Sequence, residues 1–167
     1  MNYIDFDGVI LDTHYPLFKD HKEFTNNNGF INDTKYVQDR DWYQVLRESE
    51  IINDSINIIK TLDINNTAIL TKVHSLENEG SNKVIYLRES GIKCPIILVP
   101  YNLKKTEIVS PKNNILIDDD LFNLDDWQSL GGIPIYFNKD DSDIDGWGYL
   151  NTKYPKTRTL KILEKMY

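Results

Sequence analysis

The sequence predicts an α/β fold with a mostly parallel central sheet, and three observations predict it. Apolar runs of strand length alternate with helical stretches along the chain. Several of those runs end in Asp, Thr or Asp-Asp, as expected where strands deliver polar side chains to one edge of a parallel sheet. The 167 residues, 40% hydrophobic and 27% charged, suit one domain with a core of ordinary size.

The first run, Tyr3-Ile4, leads directly into Asp5-Phe6-Asp7-Gly8. Strand side chains alternate with a period of two, so Asp5 and Asp7 point the same way, and Gly8 permits a sharp turn. Two like charges side by side need a neutraliser. No basic residue is near in sequence, which leaves two readings: solvated aspartates at a strand end, or a metal site, for which oxygen ligands favour magnesium.

Residues from about 14 to 52 are polar, aromatic-rich and weakly periodic, and read as a small helical cap inserted into a core of 1–13 and 53–167. Within the insertion, Asn26-Asn27-Asn28-Gly29 and Asn32-Asp33 signal turns, and Asp41 to Arg47 predicts a short helix with Trp42, Val45 and Leu46 on one side. A second helix starts at Asn53 or Asp54 with Ile56, Ile59 and Leu62 inward. Thr67 to Thr71 is a strand. Leu76 to Ser90 is helical, stopped by Gly91. Pro95 to Val99 reads as a strand covered on both faces, and Lys104 to Val109 as a short helix ended by Pro111. Asn114 to Ile117 is a strand running into Asp118-Asp119-Asp120, and Leu121 to Leu130 a helix with Trp127 in the core. Gly131-Gly132 turns into a last strand, Ile133 to Phe137. An exposed acidic loop, Asp140 to Gly148, contains Trp147, and Thr159 to Met166 closes the chain as an amphipathic helix.

Composition excludes several functions. A net charge of −7 repels long polyphosphates, so duplex nucleic acid is not the partner. The lone Cys94 forms no internal disulfide or cysteine zinc cluster, and its apolar neighbours suggest a buried thiol. Acidic residues interrupt the N-terminal apolar run and no stretch reaches bilayer length, so neither a signal peptide nor a membrane span is expected. A cytoplasmic location follows as the expectation. The three histidines His14, His21 and His74 lack metal-ligand spacing; His14, close behind the first aspartates, is placed to touch a substrate, and the other two are expected at the surface.

Asp5-Phe6-Asp7-Gly8-Val9, Thr71, a lysine before the fourth core strand, and Leu116-Ile117-Asp118-Asp119 resemble, in order, the four motifs of the haloacid dehalogenase (HAD) superfamily. Leu116 to Asp119, Trp42-Tyr43 and Gly131-Gly132 are similar to the 5′(3′)-deoxyribonucleotidase family. Val9 replaces the commoner threonine, and the insertion is short. The resemblance implies a Rossmann-like HAD core and a magnesium-dependent phosphomonoester hydrolase, with a (deoxy)nucleoside monophosphate as the expected substrate. It makes Asp5 the nucleophile and Asp7 the acid and base. Asp5, the Asp7 carbonyl and Asp119 become the metal ligands, with Asp118 behind them. Thr71 and a lysine would bind phosphate. Lys104 and Lys105 compete for that role, with Lys105 preferred because Lys105-Thr106-x-x-Val109 resembles the family's lysine segment. Lys72 adds positive charge suited to a second phosphate, and Trp42 and Tyr43 would frame a base, since rings stack on bases with little sequence preference. Two alternatives stand beside this one: a protein that binds a nucleotide without turnover, and a phosphatase of another small ester or of a nucleic-acid 3′-phosphate end.

Overall fold

The computed structural model describes residues 1–21, 33–139 and 153–165. The Asn26–Gly29 turn, the acidic stretch 140–148 and Trp147 lie outside the described residues.

A six-stranded sheet forms the centre. Its strands are β1 (Asn2–Ile4), β4 (Thr67–Val73), β5 (Ile96–Pro100), β6 (Ile115–Asp118), β7 (Ile133–Phe137) and β8 (Lys156–Thr157). They run in the order β5-β4-β1-β6-β7-β8, every neighbouring pair parallel. Beside it, β2 (Leu11–Asp12) and β3 (Glu50–Ile51) pair antiparallel. Their pairing brings together the two ends of the segment that carries α1 (His14–Phe18), α2 (Thr34–Asp39) and α3 (Trp42–Glu48).

Period-two alternation divides the core between the two faces of the sheet. Ile4, Ile69 and Ile117 face α4 (Ser55–Thr61), α5 (Ser81–Glu89) and the inserted helices, where they join Phe6, Leu46, Ile59 and Leu87. Tyr3, Ala68, Leu70 and Leu116 face the other way, toward α7 (Leu121–Ser129), and join Leu124 and Trp127. Trp127 is wholly buried, its indole N–H donating to the Asn114 carbonyl at 2.9 Å. A Cβ on Gly132 would stand 2.2 Å from the Trp127 ring, so only glycine lets the turn before β7 press against it.

Several elements differ from the sequence expectation. Residues 95–99 do not form a strand covered on both faces: β5 is the sheet's edge and is mostly half-buried. The helix expected from Leu76 opens instead with a π turn, Leu76–Gly80, in which Gly80 N–H reaches back five residues to the Ser75 carbonyl. The chain ends in a 3₁₀ helix, Leu160–Lys165, in place of an amphipathic α-helix. The two-residue strands β2, β3 and β8 give no period that a sequence could display. Elsewhere the fit is close: α3 is capped by Asp41 and buries Trp42, Val45 and Leu46. Cys94 is buried, and burial pushes its thiol up. Among the described residues no helix is long and apolar enough to cross a membrane.

Candidate active site

The register of the central strands brings the acidic residues together. Ile4 pairs with Ile69 on one side and Ile117 on the other, and Asp5 N–H donates to the Ile117 carbonyl at 2.9 Å. Asp5 therefore leaves β1 level with Asp118 at the end of β6. The carboxylates of Asp5, Asp118 and Asp119 each offer an oxygen within 4.8 Å of the others. They stand at the floor of an open cavity of about 1040 Å³ that Asp7, Thr13, Lys72, His74, Tyr101 and Lys105 also line.

Lys105 opens the short helix α6 (Lys105–Ile108) and is 2% exposed. Its ammonium lies 2.5 Å from Asp5 Oδ1 and 2.6 Å from Asp118 Oδ2. Lys104 points away and pairs with Asp126 at 2.8 Å, so Lys105 is the one of the two that faces the floor. Asp118 is fully buried and fully engaged, accepting from Lys105, from Asn123 Nδ2 at 3.0 Å and from Asp120 N–H at 2.9 Å.

Burial pushes the Asp5 carboxyl up to about 7; the charges of Asp118 and Asp7 add to this, against the pull of Lys105. Asp119, whose surface opens to solvent, is likewise held well above the usual range, by desolvation among its neighbours and then by Asp118 and Asp5. Burial works against the Lys105 ammonium too, but its two carboxylates outweigh that and raise it. Three carboxylates thus share one ammonium, an excess of negative charge that suits a hard cation. Gly8 shapes the same spot: at φ +72°, a Cβ there would sit 2.0 Å from Asp119 Oδ2. The donor set and this cradle fit a divalent ion held by oxygen.

Asp7 lies beside the floor, turned toward other partners. Thr13 Oγ1 donates to its Oδ1 at 2.8 Å, and Lys83 Nζ lies 2.5 Å from its Oδ2. Lys83 is fully buried and pairs with Glu79 at 2.7 Å. Burial disfavours both charges, yet Asp7 and Glu79 raise the lysine, and Lys83 together with hydrogen bonds from His74 lowers the glutamate. Neither Lys83 nor Glu79 is apparent as a site residue in the sequence, where Glu79-x-x-x-Lys83 looks like an ordinary solvated i,i+4 pair.

The remaining candidates are scattered. Thr71 is wholly buried behind the cavity wall, its hydroxyl 3.3 Å from Lys83 Nζ and from the Lys72 carbonyl. Lys72 lines the cavity without an ion pair among the described residues, its ammonium 5.9 Å from the Tyr101 ring. His14 is exposed on α1 at the rim. Trp42 lines the cavity but is only 1% exposed; its indole N–H donates to the Val37 carbonyl and the Lys83 ammonium lies 5.2 Å over its ring. Tyr43 faces solvent outside the cavity, covered by Arg47 at 3.5 Å. The aromatic rings that do reach the cavity with exposed surface are Tyr15, Tyr101 and Phe122. His21 and His74 are not surface residues: His21 is buried against Tyr36 and Asp33, and His74 is half-buried, stacked on Tyr101 at 4.1 Å.

No protein-family model and no curated protein matches the chain. Solved structures do. A HAD-superfamily hydrolase of subfamily IA from Geobacter sulfurreducens aligns with a TM-score of 0.61 at 10% identity, over 99% of this chain and 98% of that one. The HAD-hydrolase YfnB from Bacillus subtilis, solved bound to magnesium, gives 0.60 at 16% identity over 99% and 96%. The D,D-heptose 1,7-bisphosphate phosphatase from Burkholderia thailandensis gives 0.50 at 14% over 95% and 88%. At such identities the likeness is one of fold.

Proposed function

We propose that this chain, which has the fold of the HAD hydrolases, is a phosphomonoester hydrolase working through an aspartyl-phosphate on Asp5, with a (deoxy)nucleoside monophosphate as its substrate class. The observation that carries it is the state of Asp5: one oxygen is fixed by Lys105, while the other has no donor among the described residues and adjoins the cavity. A carboxylate so held is a nucleophile in waiting.

Asp5 and Asp119 side chains, with the Asp7 carbonyl, would hold magnesium. That ion would screen the repulsion between carboxylate and phosphate. An Asp5 oxygen attacks phosphorus, the bond to the ester oxygen breaks, and Asp7 gives that oxygen a proton. Asp7 then takes a proton from the water that displaces Asp5. Lys105 supplies a donor to the phosphoryl oxygens, and Lys72 extends positive charge along the wall. Thr71, buried behind that wall, bonds to Lys83 and the Lys72 carbonyl instead of reaching the phosphate. Residues 14–52 act as a small cap. Tyr15, Tyr101 and Phe122 support a ring-bearing leaving group, since exposed rings at a cavity wall stack on bases.

Phosphate release over a panel of nucleoside monophosphates and sugar phosphates tests this. Nucleotide turnover that needs magnesium and vanishes in Asp5→Asn is the expected result. Release that persists in Asp5→Asn removes the mechanism, and a preference for sugar phosphates removes the substrate class.

A further inference from the structure

The aspartyl-phosphate scheme asks Asp7 to do acid and base work, and its carboxylate must be aimed for that. We propose that Lys83, braced by Glu79, is the positioning residue that aims the Asp7 carboxylate, and that it takes no direct part in binding phosphate. This rests on the hydrolase mechanism above.

The geometry makes the case by counting donors. An ammonium has three protons. Four acceptors surround Lys83 Nζ: Asp7 Oδ2 at 2.5 Å, Glu79 Oε1 at 2.7 Å, the Lys72 carbonyl at 3.2 Å and Thr71 Oγ1 at 3.3 Å. None of its protons is left for a substrate, and the group is wholly buried between the rings of Phe6 and Trp42, 5.1 and 5.2 Å away. Glu79, 2% exposed, is equally committed: its second oxygen accepts from His74 N–H at 2.7 Å and lies 3.2 Å from His74 Nδ1. The π turn that carries Glu79 is itself tied to the inserted segment, since Asn78 Nδ2 donates to the carbonyls of Gln38 and Arg40 at 3.0 and 2.9 Å. A rigid buried chain thus runs from the rim at His74 to one oxygen of Asp7, while Thr13 fixes the other oxygen. Such an arrangement sets orientation, which is where acid–base transfer is most sensitive.

The chemistry separates this role from a general structural one. An alkyl or nucleoside leaving group needs a proton from Asp7, whereas p-nitrophenolate departs without one. Water attack on the aspartyl-phosphate needs Asp7 as base for either substrate. Lys83→Met keeps the length and removes the charge. Its turnover of a nucleoside monophosphate should fall by about 10²–10³. With p-nitrophenyl phosphate it should instead release one nitrophenolate per protein molecule in a fast burst, then turn over slowly as phosphorylated Asp5 accumulates. Lys83→Arg should recover part of the nucleotide turnover. An equal loss on both substrates with no burst, or no loss on either, overturns the proposal. Should Lys83→Met fail to fold, Glu79→Gln decides by the same two readouts, since it releases the brace and keeps the shape. Failure of the underlying mechanism looks different: wild-type protein would then release no phosphate from any ester, or would do so without Asp5.

Discussion

Lys105 in the cavity floor and Lys83, buried beside Asp7, have opposite surroundings. Lys105 meets only Asp5 and Asp118, with Asp119 beside them, so the floor is short of positive charge. Lys83 has more acceptors than protons and lies between two rings, so its surroundings are complete. An incomplete electrostatic set asks for a ligand, and a complete one holds a shape. The same side chain therefore marks where chemistry happens in one place and what keeps it aligned in the other.

The largest expected effect tests the floor. Lys105→Met leaves the Asp5 and Asp118 carboxylates buried without their cation, a loss that costs about 3–5 kcal/mol when one partner of a buried pair is removed. Urea unfolding without metal should show it, and added magnesium should recover part. A variant as stable as the wild type would mean that the floor is not strained by its charges.

Gly8→Ala comes next. At φ +72° the backbone disfavours a side chain, at about 1–3 kcal/mol, and the new Cβ would collide with Asp119. Magnesium affinity by calorimetry should fall more than tenfold, because Asp119 must move, while Lys83 and Asp7 keep their contacts. Unchanged affinity would place the ion elsewhere.

The floor also predicts a pH dependence. With its pKa raised from 3.8 to about 7, Asp5 keeps a proton in the folded state that the unfolded chain gives up above about pH 4. Its stabilising contribution is full below that point and is lost as pH rises through 7; Asp119 acts in the same direction. Metal-free protein should therefore lose thermal stability between pH 5 and 8 more steeply than Asp5→Asn does. Magnesium, which binds the ionised carboxylates, should raise the melting temperature more at pH 8 than at pH 5.5. Parallel pH profiles for wild type and variant would contradict the crowding of charge at the floor.

The contrast also explains what could be read from the sequence. Asp5, Asp7, Asp118 and Asp119 follow apolar runs, and a parallel sheet carries all strand ends to one edge, so order along the chain announces nearness in space. Lys105, by contrast, lies beyond the end of β5 and is singled out from Lys104 only by the resemblance of Lys105-Thr106-x-x-Val109 to a family segment. Lys83 and Glu79 sit on a helix face whose spacing is that of any exposed ion pair; only the π turn and the docking of the insertion bury them. The aromatic pair Trp42-Tyr43 is divided for a related reason, with Trp42 lining the cavity and Tyr43 outside it. Trp42 and Tyr43 are adjacent in sequence, but a helix turns successive residues to different sides, one into the core and one to water. Tyr15 and Phe122 come from α1 and α7 and Tyr101 from the turn after β5, and no local pattern unites them.

The smallest effect belongs to the lysine adjacent to Lys105. Lys104 is exposed, and its pair with Asp126 is of the surface kind that salt screens and side-chain entropy erodes. Lys104→Ala should leave turnover, magnesium affinity and the urea midpoint at wild-type values, while Lys105→Met changes all three. Neighbours in sequence with such different consequences would show that the short helix α6 exists to bring one specific ammonium to the floor: its backbone turns Lys105 inward and leaves Lys104 in water. Equal losses from both would mean that the positive charge acts at long range, and the contact geometry at Asp5 would not be what matters.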